Sequence, residues 1–155
     1  MNSEELIQKV CALESRARKS EKRTDPVCVE IPSDILLSFL KRLRTEPDLS
    51  FDMLLSHTAI DWLADGKFEL VYNLTSITHQ HLLMVSCYIP RDNPVISTVS
   101  SIWKIAEYQE REVYDFYGVL YDDHPDLRRL FLEDDWKGFP MRKDYKDDFI
   151  LVPEA

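Results

Sequence analysis

Apolar residues recur at two different periods along this chain, and the changes of period divide it into elements. Leu6, Val10, Leu13 and Ala17 fall at helical spacing among charges, which predicts an amphipathic helix over residues 2–23. Such a helix either stays loosely attached and solvated or docks by its apolar stripe. Thr24-Asp25-Pro26 ends it, since the residue before a proline avoids the helical region. Val27-Cys28-Val29-Glu30-Ile31 is short and alternating, a strand. Pro32-Ser33-Asp34 opens a second helix, whose stripe is Ile35, Leu36, Phe39, Leu40 and Leu43. Lys41, Arg42 and Arg44 weight its C-terminal end, where the helix dipole favours cations, and Glu46-Pro47-Asp48 closes it.

Three more strands follow, over residues 53–62, 67–75 and 81–89. Asp65-Gly66 supplies a tight turn between the first two. The second alternates through Phe68, Leu70, Tyr72 and Leu74, whereas the third is nearly all apolar and is therefore expected at the centre of the sheet. A last helix is predicted from near Ser97-Thr98 to Gly118, with Ile102, Ile105, Ala106, Gln109, Val113 and Phe116 on one face. The order strand, helix, three strands, helix implies an α+β fold. The expected form is an open, mainly antiparallel four-stranded sheet with helices on one face. Beyond Gly118 the periodicity stops. Gly, Pro and mixed charge separate single large residues such as Leu127, Leu130, Phe131, Trp136 and Phe139. An irregular C-terminal wrapping segment is expected there. The organisation is thus an N-terminal helix at 1–25, a core at 26–120 and an extended docking segment at 121–155.

With 155 residues and 45% apolar side chains, one domain with a proper core can form. The formal charge of -9 argues against nucleic acid and against anionic lipid surfaces as partners. Cys11, Cys28 and Cys87 are scattered and odd in number, which fits a reducing compartment and removes the usual ligand set of an iron–sulfur cluster. The longest apolar stretch, at 82–89, falls far short of the roughly 20 residues that span a bilayer. The N-terminus has no apolar core for a secretory signal, and its acids are wrong for a transit peptide. The chain is expected in a bacterial cytoplasm, reaching a membrane only through partners.

One charge pattern stands out. Glu107, Glu110, Arg111, Glu112 and Asp115 crowd the last helix, and Arg128, Arg129, Arg142 and Lys143 come after it on the wrapping segment with His124. Two arrangements are open. In one the helix face is solvated, with Arg111 meeting Glu107 and Asp115 at four-residue spacing. In the other the wrap folds back and its arginine forks lock onto the helix carboxylates. A hard metal or an acid–base pair on Glu110, Glu112 and Asp115 is a further possibility, that of a free-standing metalloenzyme. No phosphate loop or nucleophile elbow accompanies them. His79 and His81 lack a third ligand. Trp103 and Trp136 read as core or interface anchors.

These blocks resemble a known pattern. Glu110, Arg111, Glu112, Asp115 and Gly118 read ERE-x-x-D-x-x-G. His124, Pro125, Leu127, Arg128 and Arg129 then read HP-x-LRR. Trp136, Gly138, Pro140, Arg142, Lys143 and Asp144 complete a W…G-x-P-x-RKD run. The three blocks in this order resemble the thirty-kilodalton (C-type) subunit family of respiratory complex I, as do the upstream strands through Thr58-Ala59-Ile60-Asp61. Met141 replaces a usual leucine, and Phe139 stands where histidine is common. Many relatives continue in a long tail over the quinone-site subunit. Here only 147–155 extend past the motif, so that contact is expected to be partly absent or supplied by others.

The resemblance implies a non-catalytic subunit in the peripheral arm of a proton-translocating NADH:quinone oxidoreductase, on the cytoplasmic face of the inner membrane. It implies no cofactor on this chain, with FMN, iron–sulfur clusters, NADH and quinone handled by other subunits. Its partners would be chiefly the D-type, quinone-site subunit and adjacent iron–sulfur subunits. Relatives in energy-converting hydrogenases and ferredoxin- or F420-dependent quinone reductases fit the same motifs.

Overall fold

The computed structural model describes residues 1–147, so the end of the expected docking segment, 148–155, lies outside the described residues. Helix α1 spans Ser3–Leu13. Asn2 caps it by accepting from the Glu5 N–H at 2.9 Å, and its own N–H donates to the Glu5 carboxylate at 3.0 Å. Leu6, Ile7 and Val10 are buried beneath it.

The predicted helix over 2–23 is therefore too long. Its second half, Arg18–Thr24, is strand β1, antiparallel to β2 (Val27–Glu30). Helical spacing runs on to Ala17, but pairing at the sheet edge overrides so weak a propensity. The two-residue period there is masked because both faces of β1 carry polar groups. Ser20 is 1% exposed and donates to Glu30 at 2.6 Å. Arg23 reaches across the sheet to the fully buried Glu69, which also accepts from the Trp62 indole at 2.9 Å. Burial alone would raise the Glu69 carboxyl, but the Arg23 and Trp62 hydrogen bonds outweigh it and hold the group below its ordinary range.

After a single 3-10 turn at Ser33–Ile35, α2 runs over Leu36–Thr45. Strands β3 (Met53–Trp62), β4 (Lys67–Ser76) and β5 (His81–Pro90) come next. The sheet has five strands, not four, in the order β1-β2-β5-β4-β3. Only the β2–β5 pair is parallel, and β5 lies in the middle, as its apolar run predicts. One parity of β4 and β5 (Phe68, Leu70, Tyr72, Leu74; Leu83, Val85, Cys87, Ile89) faces a single core. Leu6 and Val10 of α1 join it, as do Phe39 and Leu43 of α2 and the buried side of α3. The helices thus share one face of the sheet.

The last helix, α3, spans Ala106–Tyr117 rather than starting near Ser97. Val95–Ser97 is instead strand β6, parallel to β7 (Leu120–Asp122). The β-branched run through Val99 favours that strand. Turns then bury Ile102 and Trp103, while Ile105 is left 49% exposed. Gly118 ends α3 as expected, at φ 77°, with its N–H on the Tyr114 carbonyl at 2.8 Å. From Asp123 to Asp147 the chain forms neither helix nor strand and lies back along α3.

Candidate functional site

The C-terminal half of α3 presents Asp115 with its side chain fully buried. One carboxylate oxygen accepts three consecutive backbone N–H groups, from Leu130, Phe131 and Leu132, at 3.2, 2.7 and 3.0 Å. The other accepts from Arg129 at 3.0 Å. Burial alone would push this carboxyl up. The N–H groups and Arg129 overcome that and hold it below the usual range. Arg129 also donates to the carbonyls of Trp136 and Gly138, at 3.0 and 2.9 Å. Arg111 does not pair with Glu107 or Asp115, as four-residue spacing suggested. It donates to the carbonyls of Arg128 and Arg129 at 3.1 and 3.0 Å. The backbone carbonyls of an irregular segment have no ladder partner and take the guanidinium, while Asp115 is already satisfied by three N–H groups and Arg129. Arg128 points outward to Asp126, and Glu112 is exposed.

The RKD block closes a second clasp at the far end of β3. Asp61, 3% exposed, accepts from both sides of the Arg91 fork at 2.7 and 3.0 Å and from the Lys143 N–H at 2.8 Å. Arg91 also holds Asp144, at 2.6 Å. Arg142 donates to the Tyr117 carbonyl at 2.7 Å, and its guanidinium lies 5.2 Å from the Phe68 ring and 5.1 Å from that of Phe139. Gly118 is needed twice over. Besides its positive φ, a Cβ there would sit 2.6 Å from the Phe139 ring and 2.9 Å from Arg142. Arg91 was invisible to sequence reasoning. Asp61 left a trace, a carboxylate at a core-facing position of an alternating strand, which demands a partner.

Glu110 faces the other way. It is fully buried and accepts from the Val99 N–H at 2.7 Å and the Thr98 hydroxyl at 2.5 Å. His124 Nε2 is 3.7 Å away but lies closer to the Glu107 carbonyl, at 3.0 Å, and its Nδ1 accepts from the Asp126 N–H. Burial pushes Glu110 up to about 7, against the pull of Thr98 and Val99. Sequence reasoning also missed His57, buried on β3. Its Nδ1 donates to the Val71 carbonyl at 3.0 Å and its Nε2 accepts from the Tyr121 hydroxyl at 2.6 Å. Burial takes His57 down to about 4, so it is neutral.

Glu110 sets a pH dependence. A carboxyl raised in the folded state binds its proton more tightly there than in the unfolded chain. Its contribution is complete below the ordinary value of 4.5 and is lost as pH rises through about 7. Glu110→Gln is expected to flatten the fall in stability across that window, read from urea midpoints at stepped pH. An unchanged slope in the variant would contradict this assignment.

The geometry does not gather Glu110, Glu112 and Asp115 around a common point. They face the β6 turn, solvent and the strap formed by the irregular C-terminal segment (123–147), respectively. Among the described residues no cluster of three or more His, Cys, Asp or Glu is placed to hold a metal. His79 and His81 stack on each other at 5.5 Å and bond to the carbonyls of Pro47 and Leu49. Several motif polar groups instead hold the segment from beneath, and three large apolar side chains stand out among the charges on its outer side. Phe131 is 63%, Trp136 37% and Met141 54% exposed, and Phe131 stacks on Phe116 at 5.7 Å.

Fold and clasp together define a class: an α+β domain in which Arg111, Asp115, Arg129, Arg142 and Asp144 of the charged motif hold an irregular C-terminal strap against the core. Residues 29–148 match the family described as respiratory-chain NADH dehydrogenase, 30 Kd subunit, and the chain belongs to that family. It is 41% identical to the NADH-quinone oxidoreductase C subunit of Chloroherpeton thalassium, over 67% of this chain and 43% of that protein. It is 42% identical to the NADH-quinone oxidoreductase C/D subunit of Phocaeicola vulgatus, over 77% of this chain and 22% of the relative. The chain thus spans less than half the length of either. Among solved structures, a chain of the archaeal membrane-bound sulfane sulfur reductase, a respiratory membrane complex, superposes with a TM-score of 0.79. That match is 29% identical and covers 92% of this chain and 85% of that one. No helix among the described residues is long and apolar enough to cross a membrane.

Proposed function

We propose that this chain is a structural subunit in the peripheral arm of a proton-translocating NADH:quinone oxidoreductase, carrying no redox centre itself. On this reading FMN, iron–sulfur clusters, NADH and quinone are handled by other subunits, and the chain is held at the cytoplasmic face of the inner membrane through them. The observation that carries the reading is the strap. Asp115, Arg111, Arg129, Arg142 and Asp144 fix it to the core, and Phe131, Trp136 and Met141 are left facing outward. Aromatic side chains presented on a rigid backing make good interface anchors. The core from 26 to 120 is then a platform, and the segment from 121 onward the docking element. The expected occupant is the D-type, quinone-site subunit with its iron–sulfur neighbours. A relative named for both, the C/D subunit of Phocaeicola vulgatus, supports that pairing. The likeness to the sulfane sulfur reductase chain favours a second reading, the same scaffold role in a related membrane complex with a different electron input.

Trp136→Ala tests the role. The indole is lost, while the Trp136 carbonyl that Arg129 holds remains. Assembled complex in native membranes is expected to fall by roughly 30-fold or more if the indole is a hot spot of about 2 kcal/mol. Quinone reduction per assembled complex should be unchanged. Full assembly with collapsed turnover would place Trp136 in catalysis and overturn the scaffold reading. The chains that co-purify decide between the two complexes.

A further inference from the structure

At the opposite end of α3 three elements meet: the last turn of α2, the start of β3 and the turns that lead into α3. They line an open cleft of about 650 Å³. Lys41 and Arg44 stand on its α2 wall, and Lys104 and Asp52 line it too. Lys104 is spent on Glu107 at 2.5 Å, and the Asp52 carboxylate accepts from the Ile77 N–H at 3.2 Å. The Lys41 and Arg44 side chains are exposed and make no ion pair or hydrogen bond with any described residue. Beside the cleft, Met53 is 42%, Leu55 47%, Ile105 49% and Tyr108 55% exposed. Gln109 ties α3 to β3 by donating to the Leu55 carbonyl at 3.4 Å, so these four side chains flank one seam. Ile105, Tyr108 and Gln109 share a helix face by their spacing.

We infer that this cleft and seam receive an acidic segment, anchored by apolar side chains, from another polypeptide of the same assembly; the inference rests on the subunit reading above. Two bare cations on a chain of net charge -9 call for carboxylates. The large apolar residues next to them mark a protein contact. A nucleic acid or an anionic bilayer would be repelled by the rest of the chain. Addition of a strand to the β3 edge is opposed by the bulge between Leu54 and Ser56. The surface is separate from the RKD part of the strap. Met53 and Trp62 bound a ten-residue strand, about 30 Å long at 3.3 Å per residue, and the RKD part of the strap is fixed near its Trp62 end, while the start of the strap, at His124, reaches Glu107.

The test uses the assembled complex from native membranes. With a photo-crosslinking residue in place of Tyr108, one crosslinked peptide is expected, rich in Asp and Glu and from a different polypeptide. A crosslink to lipid, to a second copy, to a peptide without acids, or no crosslink in assembled complex, overturns the inference. Lys41→Gln with Arg44→Gln should lower the urea midpoint of the isolated chain only slightly, through the lost helix-dipole contact. In exchange against labelled wild-type chain, that variant should leave the complex about tenfold more readily, the scale of two rim charge pairs. Unchanged exchange overturns the inference as well. If Trp136→Ala still blocks assembly in that case, only the cleft assignment fails. If both are silent, the subunit reading fails with it.

Discussion

Asp115→Ala is expected to release the strap from α3 and to cost about 3 to 5 kcal/mol, the scale for removing one partner of a buried charged pair. The reason is the number of groups that depend on one carboxylate. Three consecutive N–H groups and the Arg129 fork converge on it, and none of the three has another acceptor in helix or strand. Alanine leaves the largely buried Arg129 guanidinium without its carboxylate, held only by backbone carbonyls. Against a total stability of about 5 to 15 kcal/mol the loss is large. Two measurements separate it from a general loss of fold. The urea midpoint should drop, and amide exchange at Leu130, Phe131 and Leu132 should accelerate before that of β4 and β5. Asp115→Asn keeps an acceptor without the charge and should fall between. Protection of those amides unchanged in the alanine variant would show that Asp115 does not hold the strap. The pH sign is opposite to that of Glu110. A carboxyl held below its ordinary range contributes stability above that range and loses it as pH falls through the folded value. Acid therefore loosens the strap, while rising pH through about 7 weakens the seat of α3 at Glu110.

Arg91→Ala is expected to be as costly, about 3 to 5 kcal/mol, for a related reason. It strands Asp61, which is 3% exposed and faces the core side of β3, with only the Lys143 N–H left. It also frees Asp144, though that group is half exposed and is the smaller part of the effect. A double-mutant cycle decides which carboxylate carries the cost. Arg91→Ala in an Asp61→Asn background should lose far less than in wild type, because no buried charge is left behind. In an Asp144→Ala background it should lose nearly as much as alone. Equal losses in all three backgrounds would mean that Arg91 acts by packing on Phe68, 5.4 Å away, and not as a counterion.

Sequence reading went furthest where a period was sustained. β3, β4 and β5 come within a residue of their expected bounds, and Gly118 ends its helix as its backbone freedom requires. It failed where a short polar stretch obtained its structure from a distant partner. Arg18–Thr24 has the composition of a solvated helix, and its strand exists because β2 offers an edge and Glu69 a buried counterion. The start of α3 failed likewise: Thr98 and Val99 are held by Glu110, eleven residues on from Val99, which no local signal reports.

The charged blocks divide along the same line. Order, spacing and sign alone placed acids on α3 and arginines on a returning segment, and these residues carry the family resemblance. The sequence could not say which acid meets which arginine. Arg111 serves carbonyls rather than carboxylates, Arg128 turns to solvent, and Asp144 finds Arg91, fifty-three positions away, whose fork also holds Asp61. The physical reason is that a helical or alternating period encodes neighbours a few residues apart. A buried carboxylate or guanidinium is satisfied by whatever donor or acceptor the completed fold brings within about 3 Å. Periodicity therefore determined β2 to β5 and α2, and its end marked where an irregular segment begins. The tertiary structure decided which motif groups turn inward, Arg111, Asp115, Arg129 and Arg142 among them, and left Phe131 and Trp136 exposed on the other side.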